Sequence, residues 1–146
     1  MNVFQQVVRR SLWTSMSAAA ILVAGCATMS SSGGTNVTLS GSQEVPPVTT
    51  TASGSGTIMV GADRSVSGNV KTTGINATAA HIHMAPMGQN GPVVTPLIKT
   101  ADGVWSVPLG AKLTDAQNDA FKAGNLYVNV HSDAHKGGEI RGQLKP

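Results

Sequence analysis

The histidines are the residues of this chain whose types and spacing could bind a metal ion. There are four of them, and His81 and His83 are separated by a single residue. Alternate side chains of a β-strand lie on one face, so these two imidazoles would point the same way. His131 ends a second alternating segment, which begins at Leu126. If the two segments lie side by side as strands, three imidazoles converge into a site that suits copper or zinc.

Three other polar residues could support such a site through hydrogen bonds. In the last predicted hairpin, Asn129 shares a face with His131, and one plausible register sets Glu139 opposite His131. A carboxylate beside an imidazole fixes the tautomer of a metal ligand. The same pair would otherwise be an ordinary cross-strand contact that contributes less than about 1 kcal/mol. Glu44 precedes two prolines, whose extended backbone can direct its carboxylate inward.

Two interpretations of the histidines follow from the sequence, and both stay open at this point. In one, the imidazoles hydrogen-bond glycine-rich turns and Glu44 or Glu139, and so hold the sheet together. In the other, they bind copper or zinc. His135, Met84 and Met87 are then ligands in reserve, since thioether sulfur favours the cuprous ion.

The N-terminus has the pattern of a bacterial lipoprotein signal. Arg9 and Arg10 precede an apolar stretch from Leu12 to Val23, which is followed by small residues and Cys26. That stretch is shorter than the about 20 residues that span a membrane. Cys26 is the only cysteine, and it stands where bacterial lipoproteins are lipidated. We therefore predict a cleaved signal over residues 1–25 and a lipid anchor on Cys26.

Several properties of the mature chain follow from this processing. Ala27 replaces the aspartate that retains many lipoproteins at the inner membrane, which favours the outer membrane, facing the periplasm or the cell surface. The alternative to a lipoprotein signal is an ordinary signal peptide in which the cysteine occurs by chance. Loss of Arg9 and Arg10 lowers the net charge from +3 to +1, so nucleic acid is not a predicted partner. A single cysteine allows no intramolecular disulfide.

The rest of the chain predicts a tether and one β domain. Residues 26–35 are rich in serine and glycine and predict a flexible tether. Residues 36–146 predict an all-β fold, an antiparallel sandwich or barrel of short strands with one short connecting helix. The predicted strands are Asn36–Ser40, Gly56–Val60, Ser65–Lys71, Ala79–Met84, Trp105–Val107, Leu126–His131 and Glu139–Leu144. The helix runs from Asp115 to Ala123, after a capping box at Thr114.

Several motifs, in this order, resemble the chordin-type (CHRD) domain family. The resemblance covers roughly residues 36–146 and implies an extracytoplasmic β domain, which is widespread in bacterial envelope proteins. The motifs are Leu39–Pro47, Gly54–Gly56, Ala79–His83, Gly91–Val94, Ala123–His131 and Gly137–Leu144.

The sequence as a whole therefore favours a membrane-anchored envelope lipoprotein whose CHRD-like domain is a non-catalytic binding or structural module for an unknown protein or small ligand. The alternative is a protein that binds copper or zinc through His81, His83 and His131. A less favoured alternative is a redox enzyme, because the His-x-His pair is similar to the copper-binding strand of copper-zinc superoxide dismutases. No serine lies in a Gly-x-Ser-x-Gly turn, and the seven acidic residues are scattered, so the sequence does not favour a hydrolase.

Overall fold

A computed structural model describes residues 34–146 of the chain. The predicted signal, Cys26 and most of the predicted tether lie outside these residues. The described part folds into nine strands and one α-helix, α1 (Asp115–Lys122). The strands are β1 (Thr35–Ser40), β2 (Ser53–Val60), β3 (Val66–Thr73), β4 (Ala77–Met84), β5 (Val93–Pro96), β6 (Ile98–Ala101), β7 (Val104–Ser106), β8 (Leu126–Ser132) and β9 (Ile140–Leu144).

The nine strands form one antiparallel sheet that nearly closes on itself. Their order is β5-β4-β8-β9-β1-β2-β3-β7-β6. The two outermost strands, β5 and β6, are consecutive in the chain and only Leu97 separates them. The Leu97 N–H donates to the Ala80 carbonyl of β4 at 2.9 Å. Since both ends of the sheet meet at this point, the fold is barrel-like, which confirms the predicted all-β antiparallel class.

Aliphatic side chains fill the inside of this sheet because they alternate with polar ones along the strands. In β8, Leu126, Val128 and Val130 are almost fully buried, and they join one core cluster with Ile140 and Leu144 of β9. Burying one such side chain stabilises a fold by about 1.5–3 kcal/mol. The residues between them in β8 and β9 point away from this core, and they include the polar and ionisable side chains of the candidate site.

Helix α1 connects β7 to β8 and begins at Asp115, as predicted. It ends at Lys122, one residue before the predicted end. The Thr114 hydroxyl accepts a hydrogen bond from the Gln117 N–H, and the Gln117 side chain accepts one from the Thr114 N–H. This is the predicted capping box. Phe121 is the buried residue of the helix. No helix among residues 34–146 is long and apolar enough to cross a membrane.

All seven predicted strands are present, and the structure adds two more, β5 and β6. Neither strand has the alternation of apolar and polar residues that indicates a strand in a sequence. Every residue of β6 is exposed, and β5 ends in Pro96, which is uncommon in strands. Strand β2 also begins at Ser53 rather than at Gly56. Strand β1 includes Thr35, which the sequence assigned to the tether.

Candidate metal centre

The outward face of strands β4, β8 and β9 is covered by a loop of residues 85–92, called the covering loop below. Arg141 of β9 donates from Nη1 to the Gln89 carbonyl at 2.8 Å and from Nη2 to the Pro86 carbonyl at 3.5 Å. Gln143 donates from Nε2 to the Ala85 carbonyl at 3.0 Å. The polar side chains on this face are therefore buried between the sheet and the loop.

The three histidines predicted to form a site converge at one end of this face. In the β4–β8 register, His81 lies opposite Asn129 and His83 lies opposite Tyr127. His131 is two residues along β8 from Asn129 and so lies diagonally across from His81. In the described part of the chain, one ring nitrogen of each histidine lies within 4.8 Å of the other two. We call His81, His83 and His131 the histidine cluster.

Two backbone carbonyls orient the imidazoles of this cluster. His83 Nδ1 lies 3.0 Å from the Gly91 carbonyl oxygen, and His131 Nδ1 lies 3.0 Å from the Lys136 carbonyl oxygen. A carbonyl only accepts, so both Nδ1 atoms carry the proton and both Nε2 atoms present a lone pair. His81 Nδ1 lies 3.0 Å from His131 Nε2. His83 Nε2 is buried and has no hydrogen-bond partner among the described residues.

Burial holds all three imidazoles in the neutral form that a metal ligand requires. It is the main cause that lowers the pKa of His81, and the charges that His131 and His83 would carry add to it. Burial also lowers the pKa of His83 and of His131, although their hydrogen bonds to the Gly91 and Lys136 carbonyls oppose it. Neutral imidazoles bind metal without first releasing a proton.

The dimensions of the cluster approach those of a zinc or copper site, and the widest nitrogen pair would have to close by up to about 1.5 Å. Nitrogen ligands at about 2.0–2.1 Å from a tetrahedral ion lie about 3.3 Å from one another. The observed nitrogens are separated by 3.0 Å for the pair His81 and His131 and by no more than 4.8 Å for any pair. His83 is only 9% exposed, while His81 and His131 are half-buried. The cluster therefore offers three nitrogen ligands and keeps one side open to solvent.

The three residues predicted to support the cluster have other partners in the structure. The Glu139 carboxylate accepts hydrogen bonds from the hydroxyls of Thr50 and Ser132. Burial opposes ionisation of this carboxyl, yet those bonds lower its pKa. Asn129 lies opposite Arg141, as the predicted register required, and its side chain donates to the Gly137 carbonyl at 3.4 Å.

Glu44 is buried as predicted, at 5% exposed. The charge that acts on its pKa is that of Arg141 and not that of a histidine. The carbonyls of Gly91 and Lys136 thus orient the rings in place of Glu44 or Glu139. His135 lies outside the cluster in the described part of the chain, and Met87 is an exposed residue of the covering loop.

Tyr127, Arg141 and Gly91 support the cluster, and this support was not predicted for any of them. The Tyr127 ring stacks on His83 with 5.0 Å between centroids, and Arg141 Cζ lies 3.4 Å from the Tyr127 centroid. The Tyr127 hydroxyl accepts from the Gly91 N–H at 3.1 Å. A Cβ on Gly91 would lie 1.9 Å from the Met84 carbonyl oxygen, so only glycine fits here. The alternation of β8 indicated which face Tyr127 occupies, but not its contacts.

Replacing Glu44 by glutamine is expected to stabilise the protein at pH 8 by about 1–2 kcal/mol and to change little at pH 4.5. Burial raises the pKa of Glu44 from 4.5 to about 7, even though the Arg141 charge and a hydrogen bond from Val45 lower it. The folded state binds this proton more tightly than the unfolded state. The ionised carboxyl therefore destabilises the fold increasingly between pH 4.5 and 7 and by a constant amount above that range. Urea unfolding of both proteins across this range measures the difference, and an equal difference at every pH would contradict the prediction.

Comparison with protein-family models finds a match that covers most of the chain. The family model of the CHRD domain matches residues 35–144, which is more than half of the chain. This match spans β1 to β9 and includes all three members of the histidine cluster. No curated protein and no solved structure matches the chain. The chain therefore belongs to the CHRD domain family.

Proposed function

We propose that this protein is a cell-envelope lipoprotein whose CHRD domain is a non-catalytic binding module for a transition-metal ion, copper or zinc, held by His81, His83 and His131. The observation that carries the proposal is the buried Nε2 of His83, an acceptor without a hydrogen-bond partner among the described residues. A buried acceptor left in this way costs about 1–3 kcal/mol. A metal ion bound by this nitrogen and its two neighbours would offset that cost.

The alternative role as a purely structural cluster accounts for less of the geometry. Hydrogen bonds to Gly91 and Lys136 explain one nitrogen of His83 and one of His131. The hydrogen bond between His81 Nδ1 and His131 Nε2 explains one more nitrogen of each ring. None of these bonds explains the buried Nε2 of His83, which has no partner among the described residues. Metal-binding histidines generally donate their second nitrogen to a carbonyl or carboxylate, which is the arrangement at both rings.

Metal titration of the full chain, purified in mild detergent, tests the proposal. Calorimetry with zinc and with cupric ion, followed by elemental analysis after dialysis, should give one tightly bound ion per chain. The matched control is His135→Ala, which removes a histidine of the neighbouring loop outside the cluster and should leave the stoichiometry unchanged. Absence of tight binding, or binding lost equally in His135→Ala, would overturn the proposal. Superoxide dismutation by the metal-loaded protein would overturn its non-catalytic part.

Anchoring to the membrane is the second part of the proposal, and it rests on the lipoprotein signal pattern that ends at Cys26. We expect Cys26→Ser to move the protein from the membrane fraction to the soluble fraction, because one serine replaces the acylated thiol. Fractionation with labelled palmitate measures this, and separation of inner and outer membranes tests the predicted outer-membrane location. Cys26→Ser protein that stays in the membrane fraction would contradict the anchor.

A further inference from the structure

A second candidate site lies on the same outward face, at the other side of the covering loop. A cavity of about 240 Å³ opens between that loop and the segment that follows β1. Its volume corresponds to about eight water-sized groups. Carbon atoms make up most of its wall, and Glu44 and Arg141 are the charged residues in it. The other residues that line it are Ser42, Gln43, Val45, Met87, Gly88 and Gln143.

Arg141 is already committed to the protein and is not free to bind a ligand. Its side chain is only 1% exposed. Besides the two carbonyls of the covering loop, it donates to the side-chain oxygens of Asn90 at 3.3 Å and Gln143 at 3.2 Å. Its guanidinium also lies on the Tyr127 ring. An anionic ligand would have to displace these partners.

Glu44, unlike Arg141, has a polar atom that no other group of the described protein satisfies. Its Oε1 atom is buried and has no hydrogen-bond partner in the described part of the chain. The other glutamate, Glu139, is equally buried but accepts hydrogen bonds from two hydroxyls. A buried carboxylate oxygen without a partner is costly, and Glu44 has such an oxygen and lines this cavity.

We propose that this cavity binds a small primary amine, whose ammonium group pairs with Glu44 while its alkyl chain contacts the carbon-lined wall. The missing partner of Glu44 is a hydrogen-bond donor, and a charged donor forms the strongest bond to a carboxylate. The shared chemistry is an alkylammonium group, supplied either by a free amine or by a lysine side chain. The site is separate from the histidine cluster and does not depend on metal binding.

Binding of an ammonium ion requires the ionised form of Glu44, which makes the affinity pH-dependent. Because the pKa of this carboxyl is raised to about 7, affinity should be about tenfold weaker at pH 6 than at pH 8. Protonated Glu44 would also leave the Arg141 charge to repel the ligand. A neutral alcohol of the same length has neither dependence.

Titration of the full chain with n-pentylamine tests the proposal. Selective ¹³C labelling of the glutamate carboxyls gives signals for Glu44 and Glu139, the two glutamates of the chain, and the first disappears in Glu44→Gln. We expect n-pentylamine to shift the Glu44 signal towards the ionised form and to lower its apparent pKa by at least about one unit, a tenfold change in proton affinity. We also expect n-pentanol and pentanoate to have no such effect.

The controls separate this site from general ion pairing. Glu44→Gln should abolish binding, and its circular dichroism shows whether it is folded. Asp102→Asn, which removes a carboxylate from a fully exposed side chain, should bind n-pentylamine as the original protein does. Equal binding of n-pentanol, retained binding in Glu44→Gln, or an equal loss in Asp102→Asn would each overturn the proposal.

Tighter binding of Nα-acetyl-lysine amide than of n-pentylamine would assign the ammonium to a lysine side chain, and the reverse would assign it to a free amine.

Discussion

Replacing His83 by alanine is expected to weaken zinc or cupric-ion binding by the full chain at least about 100-fold. Changes to residues that only orient a metal ligand already cost about 10–100-fold in affinity, and His83 supplies a ligand itself. Its Nε2 is the buried nitrogen without a partner among the described residues. No other described histidine, cysteine or acidic residue joins the cluster to replace it. Calorimetric or competition titrations of both proteins measure the ratio of affinities.

The same substitution distinguishes a metal ligand from a structural histidine. Without metal, His83→Ala loses the hydrogen bond to Gly91 and the stack on Tyr127, which together are worth about 1–3 kcal/mol. The fold should survive that loss, so folded protein with lost metal binding supports the site. Unchanged metal affinity in folded His83→Ala would refute it. His135→Ala serves again as the matched histidine control.

The pH dependence of metal binding should follow from the lowered pKa values of the cluster. Protons compete with the metal only when the imidazoles become charged. Since burial lowers the pKa of all three histidines below the usual 6.5, affinity should fall less between pH 7.5 and 6.5 than it would for histidines with the usual pKa. An isolated surface histidine would lose affinity already across that interval.

Much of this site could be predicted from the alternation of apolar and polar residues. Side chains of a strand alternate between faces. His81 and His83 therefore had to lie on one face of β4, and Asn129 and His131 on one face of β8. The pairing of Asn129 with Arg141 belongs to the one plausible register suggested for the last hairpin, and the structure has this pair. Convergence of the three rings needed only that β4 and β8 be neighbours, and they are.

The contacts that orient the site could not be predicted, because they depend on backbone carbonyls of loops. Carbonyls carry no sequence signal, so the sequence suggested the carboxylate of Glu139 as the partner of His131. The structure has the Lys136 carbonyl there instead. The extra length of β2 was hidden for a related reason. Gly54, just before the predicted start of the strand, resembles a turn residue, yet a Cβ there would lie 3.0 Å from the Lys71 carbonyl oxygen of the next strand, so a glycine suits the close packing within the sheet.

Replacing Arg141 by alanine is expected to lower the free energy of unfolding by about 3–5 kcal/mol, the cost of breaking a buried charged network. This is a large part of the about 5–15 kcal/mol that stabilises a typical domain. Arg141 is 1% exposed, and it donates to two carbonyls of the covering loop. Its removal would leave those buried carbonyls without donors. Urea unfolding followed by circular dichroism measures the loss.

A matched pair of substitutions tests whether the geometry of Arg141, and not only its charge, holds the loop. Arg141→Lys keeps the charge but not the planar fork that reaches several acceptors, so we expect a loss of about 1–3 kcal/mol. Arg64→Lys makes the same change at an arginine paired with the exposed Asp115, and it should stay within about 0.5 kcal/mol. Equal effects at the two positions would contradict the role of Arg141. Because the covering loop also contains Gly91, which orients His83, Arg141→Lys should weaken metal binding although Arg141 touches no metal ligand.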